Sequence, residues 1–210
     1  MRPRTNIAFA GLTAAGKTTH AKLLAAELGY RYVSATRILL DIVGYKGSAE
    51  RVWFENFEAI EDARQGWAAD IELEKRLLEI NRTQERVVFD TWAFAWIGPD
   101  PLLRIWIESD LPSRTRKCMV SQGEQALSLS ECEALVSEKD ESTRQNFIER
   151  HGFDLFEDRE KYDLILDNSL LIPEPTVEAS TAGISQFAPQ VSAAVGSFFA
   201  IDATAGEGRG

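Results

Sequence analysis

Gly11-Leu12-Thr13-Ala14-Ala15-Gly16-Lys17-Thr18-Thr19 is the stretch that decides the fold of this 210-residue chain. It matches the pattern G-x-x-x-x-G-K-[S/T], in which backbone N–H groups surround a phosphate. The apolar residues 6–10 before it predict a short buried strand, and residues 17–28 after it predict a helix. That helix adds its positive N-terminal end to the loop. The setting therefore predicts a nucleotide phosphate site rather than an ordinary glycine-containing turn.

Individual residues of this loop have separate expected roles. Gly11 and Gly16 allow backbone angles and close approaches that a Cβ would block. Lys17 is long enough to reach the β- and γ-phosphates, and the Thr18 hydroxyl is suited to ligate Mg²⁺. The remaining loop positions are expected to contribute to phosphate binding: Thr13, Ala14, Ala15 and Thr19.

The composition predicts a globular cytoplasmic protein without a membrane segment. The chain has 23 Lys and Arg against 33 Asp and Glu, a net charge of −10, which argues against nucleic acid as a partner. No apolar run approaches the ~20 residues that span a bilayer, and the first residues lack the apolar segment of a signal peptide. Cys118 and Cys132 are expected to be reduced thiols. His20 and His151 are isolated, so neither is assigned to a metal.

Helical and strand patterns alternate along the chain, which predicts a parallel α/β sheet with helices on both faces. Five strands are predicted, at residues 6–10, 30–35, 87–90, 103–107 and 162–166. Helical patterns fill residues 36–43, 48–82 with a break near residue 66, and 128–150. Ligands gather at the carboxyl ends of such strands, where Gly11, Ser34, Asp90 and Asn168 lie. After residue 172 the composition changes, and we expect one domain over residues 1–200 and a disordered tail over 201–210.

The order of these segments resembles the nucleoside monophosphate kinases, most closely the short cytidylate kinases, over roughly residues 5–172. The phosphate loop alone occurs in many families. The combination of Gly152-Phe153-Asp154 with Tyr162-Asp163-Leu164 is fairly specific to this kinase family. Besides the loop, the resemblance rests on Val33-Ser34-Ala35, Val87-Val88-Phe89-Asp90, Ile105-Trp106-Ile107 with Leu111 and Arg114, and Gly152-Phe153-Asp154 with Tyr162-Asp163-Leu164.

The resemblance implies a P-loop fold that uses ATP and Mg²⁺. By it, Lys17 stabilises the transferring phosphoryl group, and Arg114 lies against the adenine or the phosphates. Thr18 ligates Mg²⁺, with Asp90 as an outer-shell acid. Lys17, Arg114 and Asp90 are therefore the expected catalytic residues.

The resemblance also implies how the two substrates are enclosed. Asn168 and Ser169 would lie beside the adenine ring, and the acceptor segment would begin at Ser34. A helical acceptor-binding insert would occupy residues 36–85. A lid over residues 121–150 would close, exclude water and supply positive charge.

The chain departs from the family where the acceptor phosphate is gripped. Leu40 and Trp92 stand at positions where the family has arginines, and Arg37 precedes Leu40 by one turn. These changes suggest an acceptor that differs from CMP. Such an acceptor would stack on Trp92 or Trp96, although packing of these rings in the core is an equal alternative. Arg37 is as readily a solvated surface residue as an acceptor clamp.

The lid is also poorer in arginine than in the family. Lys117 and Ser121 stand where arginines are usual, as do Lys139 and Asn146, with Arg144 close by. Lysine keeps the charge but lacks the bidentate geometry of arginine. We expect Lys139 and Arg144 to be solvated unless lid closure brings them to the phosphates.

The sequence thus predicts an ATP- and Mg²⁺-dependent kinase of a small-molecule acceptor, first of all a nucleoside monophosphate. Two alternatives remain. One is a kinase for a different nucleotide-like or specialised metabolite. The other is a nucleotide-binding module that has lost phosphoryl transfer. The low arginine content of the lid favours this alternative, and the set of Lys17, Thr18 and Asp90 argues against it. We expect a monomer or a homodimer.

Overall fold

The computed structural model describes residues 6–45, 67–123 and 127–207, with side chains described to residue 200. Its five strands are β1 (Ile7–Gly11), β2 (Arg31–Ser34), β3 (Val87–Asp90), β4 (Leu103–Glu108) and β5 (Leu164–Asp167). They form one parallel sheet in the order β2-β3-β1-β4-β5. The predicted five-stranded parallel sheet is therefore confirmed.

The described helices are α1 (Lys17–Leu28), α2 (Ala35–Ile42), α3 (Ala68–Thr83), α4 (Ala93–Ile97), α5 (Leu111–Gln122), α6 (Leu129–His151) and α7 (Val177–Glu207). Several begin at side chains that satisfy the first free N–H groups. Asp110 accepts from the Ser113 N–H at the start of α5. Ser128 and Glu131 form a reciprocal capping box at the start of α6. These caps fix the first residues of α5 and α6.

Alternating residues of the central strands feed two cores, one on each face of the sheet. On one face, Ala8 and Phe89 pack with α4 and α6. On the other face, Ile7 and Phe9 pack with α1 and α7. Burying each large apolar side chain contributes about 1.5–3 kcal/mol to folding. Every residue of β1 is buried, so the phosphate loop starts from a fully buried strand at the centre of the sheet.

The C-terminal helix α7 runs from Val177 to Glu207, whereas we expected a disordered tail from residue 201. Phe187, Val191 and Val195 bury one face of α7, and an alanine-rich continuation favours further helical turns. Residues 208–210 lie outside the described residues. So do the break expected near residue 66 and residues 46–66 of the acceptor insert.

Three smaller expectations concern the limits of the strands, the state of the two cysteines and the presence of a membrane-spanning helix. β2 and β5 are shifted by one or two residues from their predicted limits, which is the usual uncertainty of strand ends. Cys118 and Cys132 are free and buried between α5 and α6, and burial raises the pKa of the Cys118 thiol to about 12. Within the described part of the chain, none of the helices has the length and apolarity to cross a membrane.

Candidate active site

A cavity of about 480 Å³ opens at the carboxyl ends of the strands, within the usual size range of small-molecule sites. The phosphate loop lines its middle. One half lies towards α2, α3 and α6, and the other towards the end of β5 and α7. We call these the α3 half and the α7 half. The position agrees with the rule that ligands of parallel sheets bind at the carboxyl ends of strands.

The two glycines of the loop are required by its geometry. Gly11 has φ +150°, and a Cβ there would lie 2.6 Å from the Ile107 carbonyl oxygen. Gly16 has φ +96° immediately before α1. A side chain at either position would be strained, and at Gly11 it would also push the loop off β4. The loop therefore keeps the backbone conformation that the sequence motif predicts.

Lys17 lies at the centre of the cavity. Its Nζ donates to the Leu12 carbonyl oxygen over 2.8 Å and lies 4.9 Å from the centre of the Trp92 ring. Burial lowers the pKa of Lys17 to about 8, although the nearby charges of Asp90 and Asp140 oppose the shift. A phosphate oxygen at this position would favour the charged ammonium, because it supplies the negative charge that burial makes necessary.

Thr18 and Asp90 meet beside the loop as predicted. The Thr18 hydroxyl donates to Asp90 Oδ2 over 2.6 Å, and the Tyr32 hydroxyl donates to the same oxygen over 2.8 Å. Burial and the Asp90 charge raise the pKa of Tyr32. In the described residues no group of three or more His, Cys, Asp or Glu side chains is suited to a metal. A hydroxyl and one carboxylate beside a phosphate loop nevertheless fit Mg²⁺, which takes few protein ligands and completes its shell with phosphate and water.

Arg114 lies behind the phosphate loop and is not among the residues that line the cavity. Its guanidinium forms a buried ion pair with Asp140 on α6, and its Nη1 also donates to the Thr13 carbonyl oxygen over 3.2 Å. Asp140 in turn accepts from the Thr13 N–H over 2.8 Å. The pair thus holds the phosphate loop from behind. Sequence reasoning missed Asp140 because it is one of several acids in a polar helix.

The residues after β5 are divided between the cavity and its outer rim. Asn168 lines the α7 half, donates to the Ala15 carbonyl oxygen over 2.9 Å and accepts from the Lys117 ammonium. Burial lowers the pKa of Lys117 to about 8. Ser169 is not among the residues that line the cavity. Its hydroxyl instead accepts from the Asp110 N–H and donates to Asp167, so it closes the turn.

The expected acceptor residues Ser34 and Arg37 also lie outside the cavity wall. The Ser34 hydroxyl caps α2 by accepting from the Arg37 N–H over 3.3 Å, and the Arg37 side chain is exposed. Leu40 is buried against α3 together with Leu39 and Ala69. Ser34 and Arg37 belong to the N-cap and first turn of α2, whereas the leucines that pack against α3 lie further along the helix.

The two tryptophans that were expected to stack on the acceptor, Trp92 and Trp96, lie in different surroundings. Trp92 lines the cavity and is half-buried. Trp96 stacks on Phe153 with ring centres 4.3 Å apart and lies in the core, which favours the packing alternative. Lys139 also lines the cavity, with its Nζ 5.8 Å from the Trp92 ring centre, which corrects its expected solvation. Arg144 is instead paired with Asp154 in two hydrogen bonds of 2.9 and 2.7 Å.

One charged cluster of the α3 half was missed by sequence reasoning. Arg150 at the end of α6 donates to Glu74 on α3 over 2.6 Å and lies 3.7 Å from Asp70. His151 Nε2 is 3.0 Å from the same Glu74 oxygen. The i, i+4 spacing of Asp70 and Glu74 was a visible signal, but nothing in the sequence indicated which cation they meet.

Comparison with known proteins agrees with this geometry. The protein-family model described as the cytidylate kinase-like family matches residues 6–170. The cytidylate kinase of Desulfurococcus amylolyticus is 30% identical over 166 residues, which cover 79% of this chain and 84% of that protein. The cytidylate kinase of Natronomonas pharaonis is 26% identical over 87% of this chain and 91% of that protein.

Solved structures support the fold alone. The shikimate kinase of Acinetobacter baumannii has a TM-score of 0.53 at 13% identity, over 92% of this chain and 93% of that one. A second shikimate kinase, from Bacteroides thetaiotaomicron, has a TM-score of 0.54 at 15% identity, over 91% of this chain and 98% of that one. The family is shown by the sequence matches. The match of the family model to residues 6–170 and the 30% identity to the Desulfurococcus amylolyticus enzyme place the chain in the cytidylate kinase-like family, as a phosphotransferase of the nucleoside monophosphate kinase type.

Proposed function

We propose that this protein transfers the γ-phosphoryl group of ATP to a nucleoside monophosphate in an Mg²⁺-dependent reaction, with CMP the first acceptor to test. The observation that carries the proposal is the set of Lys17, Thr18 and Asp90 around an intact phosphate loop, in a chain of this family. The proposal includes a cytoplasmic location and a monomeric or homodimeric state.

Phosphoryl transfer requires mainly that the protein position the two substrates and place positive charge around the transferring group. An oxygen of the acceptor phosphate attacks the γ-phosphorus, the bond to the β–γ bridging oxygen breaks, and ADP leaves with that electron pair. Lys17 compensates the charge on the oxygens of the transferring group, and the loop N–H groups hold the phosphates. Thr18 and Asp90 would hold Mg²⁺, which supplies further positive charge at the β- and γ-oxygens.

The α3 half supports an altered grip on the acceptor. Leu40 is buried and Arg37 is exposed, so neither supplies a cation to the cavity. Lys139 lines the cavity near Lys17 at the Trp92 ring, so its ammonium group lies close to where an acceptor phosphate would bind. A lysine gives charge without a bidentate clamp, so we expect CMP to bind more weakly than an arginine pair would allow. Each lost charged hydrogen bond costs about 1.5–3 kcal/mol.

A second candidate is therefore a kinase for a different, less anionic nucleotide-like or specialised acceptor. A third, nucleotide binding without transfer, remains the alternative if no acceptor is found. The test is steady-state ADP release with CMP, UMP, dCMP, AMP and the unphosphorylated nucleosides. Turnover of CMP with kcat/KM of about 10⁴ M⁻¹ s⁻¹ or more would support the first candidate and remove the altered-acceptor idea.

Two variants connect the result to the structure. Trp92→Arg restores an arginine at the cavity and should improve a poor CMP activity if this position sets the choice of acceptor. Arg37→Ala is the matched control and should leave every acceptor unchanged, because Arg37 is exposed. ATP binding without ADP release for all acceptors would instead favour the binding module.

A further inference from the structure

The α7 half of the cavity is a narrow apolar slot next to the phosphate loop. Its walls come from α5, from the loop after β5 and from α7, with Val120, Leu171, Ile172, Ile184 and Phe187 as the apolar lining. The match to the family model ends at residue 170, so the wall formed by α7 lies outside the matched segment. Apolar walls with a few polar groups suit a flat ring with polar edges.

The polar groups of this slot surround Gly16. A Cβ at Gly16 would lie 3.5 Å from His20 Cδ2 and 3.6 Å from Asn168 Nδ2. The Asn168 amide is already engaged, because its Nδ2 donates to Ala15 and its Oδ1 accepts from Lys117. His20 is therefore the group in this part of the slot with capacity left for a ligand.

The orientation of the His20 ring decides what it offers. The ring is 4% exposed and packs edge-on against Phe187, with ring centres 4.8 Å apart. Its Nδ1 is buried and has no hydrogen-bond partner among the described residues. A buried N–H without a partner is rarer in proteins than an unpartnered acceptor, so the proton belongs on Nε2. Nε2 lies on the Gly16 side of the ring, 3.8 Å from the Cβ position of that glycine.

The donor nucleoside is already expected in this slot, beside Asn168, and we infer that His20 is a specificity-determining residue for it. Its Nε2–H donates to an acceptor atom of that nucleoside, either a purine ring nitrogen or a ribose oxygen. α7 thereby completes the donor site of this chain. The inference rests on the proposed function, since it assumes a nucleoside triphosphate on the loop.

The first test removes the His20 donor and keeps its ring. His20→Phe preserves an aromatic edge against Phe187, and thermal unfolding checks that the fold is intact. Titration calorimetry compares a non-hydrolysable ATP analogue with inorganic tripolyphosphate, which has no nucleoside. We expect the analogue to bind about tenfold more weakly, as for one lost hydrogen bond, and tripolyphosphate to bind as before. Analogues that lack the purine N7 or the ribose 2′-hydroxyl identify the atom to which His20 donates. The analogue that lacks this atom will bind wild type and His20→Phe with equal affinity.

The second test fills the slot from α7. Ile184→Trp should weaken the ATP analogue by at least about tenfold and leave tripolyphosphate unchanged. Gln186→Trp is the matched control, since Gln186 is exposed on the same helix. Unchanged binding of the ATP analogue to both His20→Phe and Ile184→Trp would overturn the inference. A wild-type protein that binds neither probe would instead contradict the proposed function.

Discussion

Arg150 on α6 donates to Glu74 on α3 over 2.6 Å, so one ion pair joins the two helices that flank the α3 half of the cavity. Both side chains are largely buried, with 6% and 18% of their surface exposed. Asp70 and His151 lie against the same pair. The geometry of this half of the cavity therefore depends on a few charges that compensate one another.

Replacing Arg150 with Met should destabilise the protein strongly. The change removes the guanidinium that compensates the charges of Glu74 and Asp70, and breaking such a buried pair costs about 3–5 kcal/mol. Urea unfolding at pH 7 measures this loss. The matched control is Arg82→Ala, whose partner Glu79 is exposed, and it should cost no more than about 1 kcal/mol. Equal losses in the two variants would contradict a buried role for Arg150.

Asp140→Asn should weaken both the fold and nucleotide binding. Asn retains an oxygen for the Thr13 N–H, but it leaves the buried Arg114 without a counter-charge. We expect a loss of about 3–5 kcal/mol in unfolding free energy. ATP binding by calorimetry should weaken as well, because Thr13 belongs to the phosphate loop. Glu133→Gln is the control, an exposed acid on the same helix. Normal stability of Asp140→Asn would mean that Arg114 finds another partner.

Lys17→Ala should remove most phosphoryl transfer while the protein stays folded. Lys17 contacts phosphate in the proposed mechanism, and its loss also frees the Leu12 carbonyl, which water in the cavity can then reach. ADP release and a thermal melt report the two effects separately. Lys75→Ala, on the exposed surface of α3, serves as the control. Unchanged turnover in Lys17→Ala would refute phosphoryl transfer at this loop.

The stability of the protein should rise with pH between about 8 and 9, since above about pH 9 the raised pKa of the buried Cys118 thiol has the opposite effect. Lys17 and Lys117 have pKa values lowered from 10.5 to about 8, so the unfolded chain binds more protons than the folded protein in this window. Below pH 8 both states are protonated and the slope vanishes. Lys117→Met should remove the Lys117 share of the slope in urea unfolding from about pH 7.5 to 9. A slope identical to wild type would show that Lys117 is not desolvated.

Residues 121–146 should exchange amide hydrogens more slowly when an ATP analogue and an acceptor are both bound. They lie within the predicted lid, and closure would protect their backbone. Mass-spectrometric hydrogen exchange measures the change, with β1 as the internal reference because it is buried already. No difference, with binding of both ligands shown independently, would mean that this part of the chain is a static surface element.

Much of the fold followed from the sequence because its signals are local. The phosphate loop requires Gly11 and Gly16 at fixed positions, and Asp90 follows a buried strand, so the pairing with Thr18 was predictable. Trp96 and Arg37 were assigned to the acceptor by position within a family pattern. Which side of a helix they occupy depends on packing partners distant in sequence. The same reason hid Asp140 and Arg150, whose roles exist only through contacts between helices.

Trp92 makes the site visible to spectroscopy. Its ring lies 4.9 and 5.8 Å from the ammonium groups of Lys17 and Lys139. Phosphate binding would neutralise this field and change the emission of the indole. Trp96 and Trp106 are buried in the core, so their emission should change little, and the variant Trp92→Phe separates the Trp92 signal from those of Trp53 and Trp67. The protein therefore carries an intrinsic fluorescent reporter of phosphate occupancy, and ligand binding can be followed without a label or a coupled reaction.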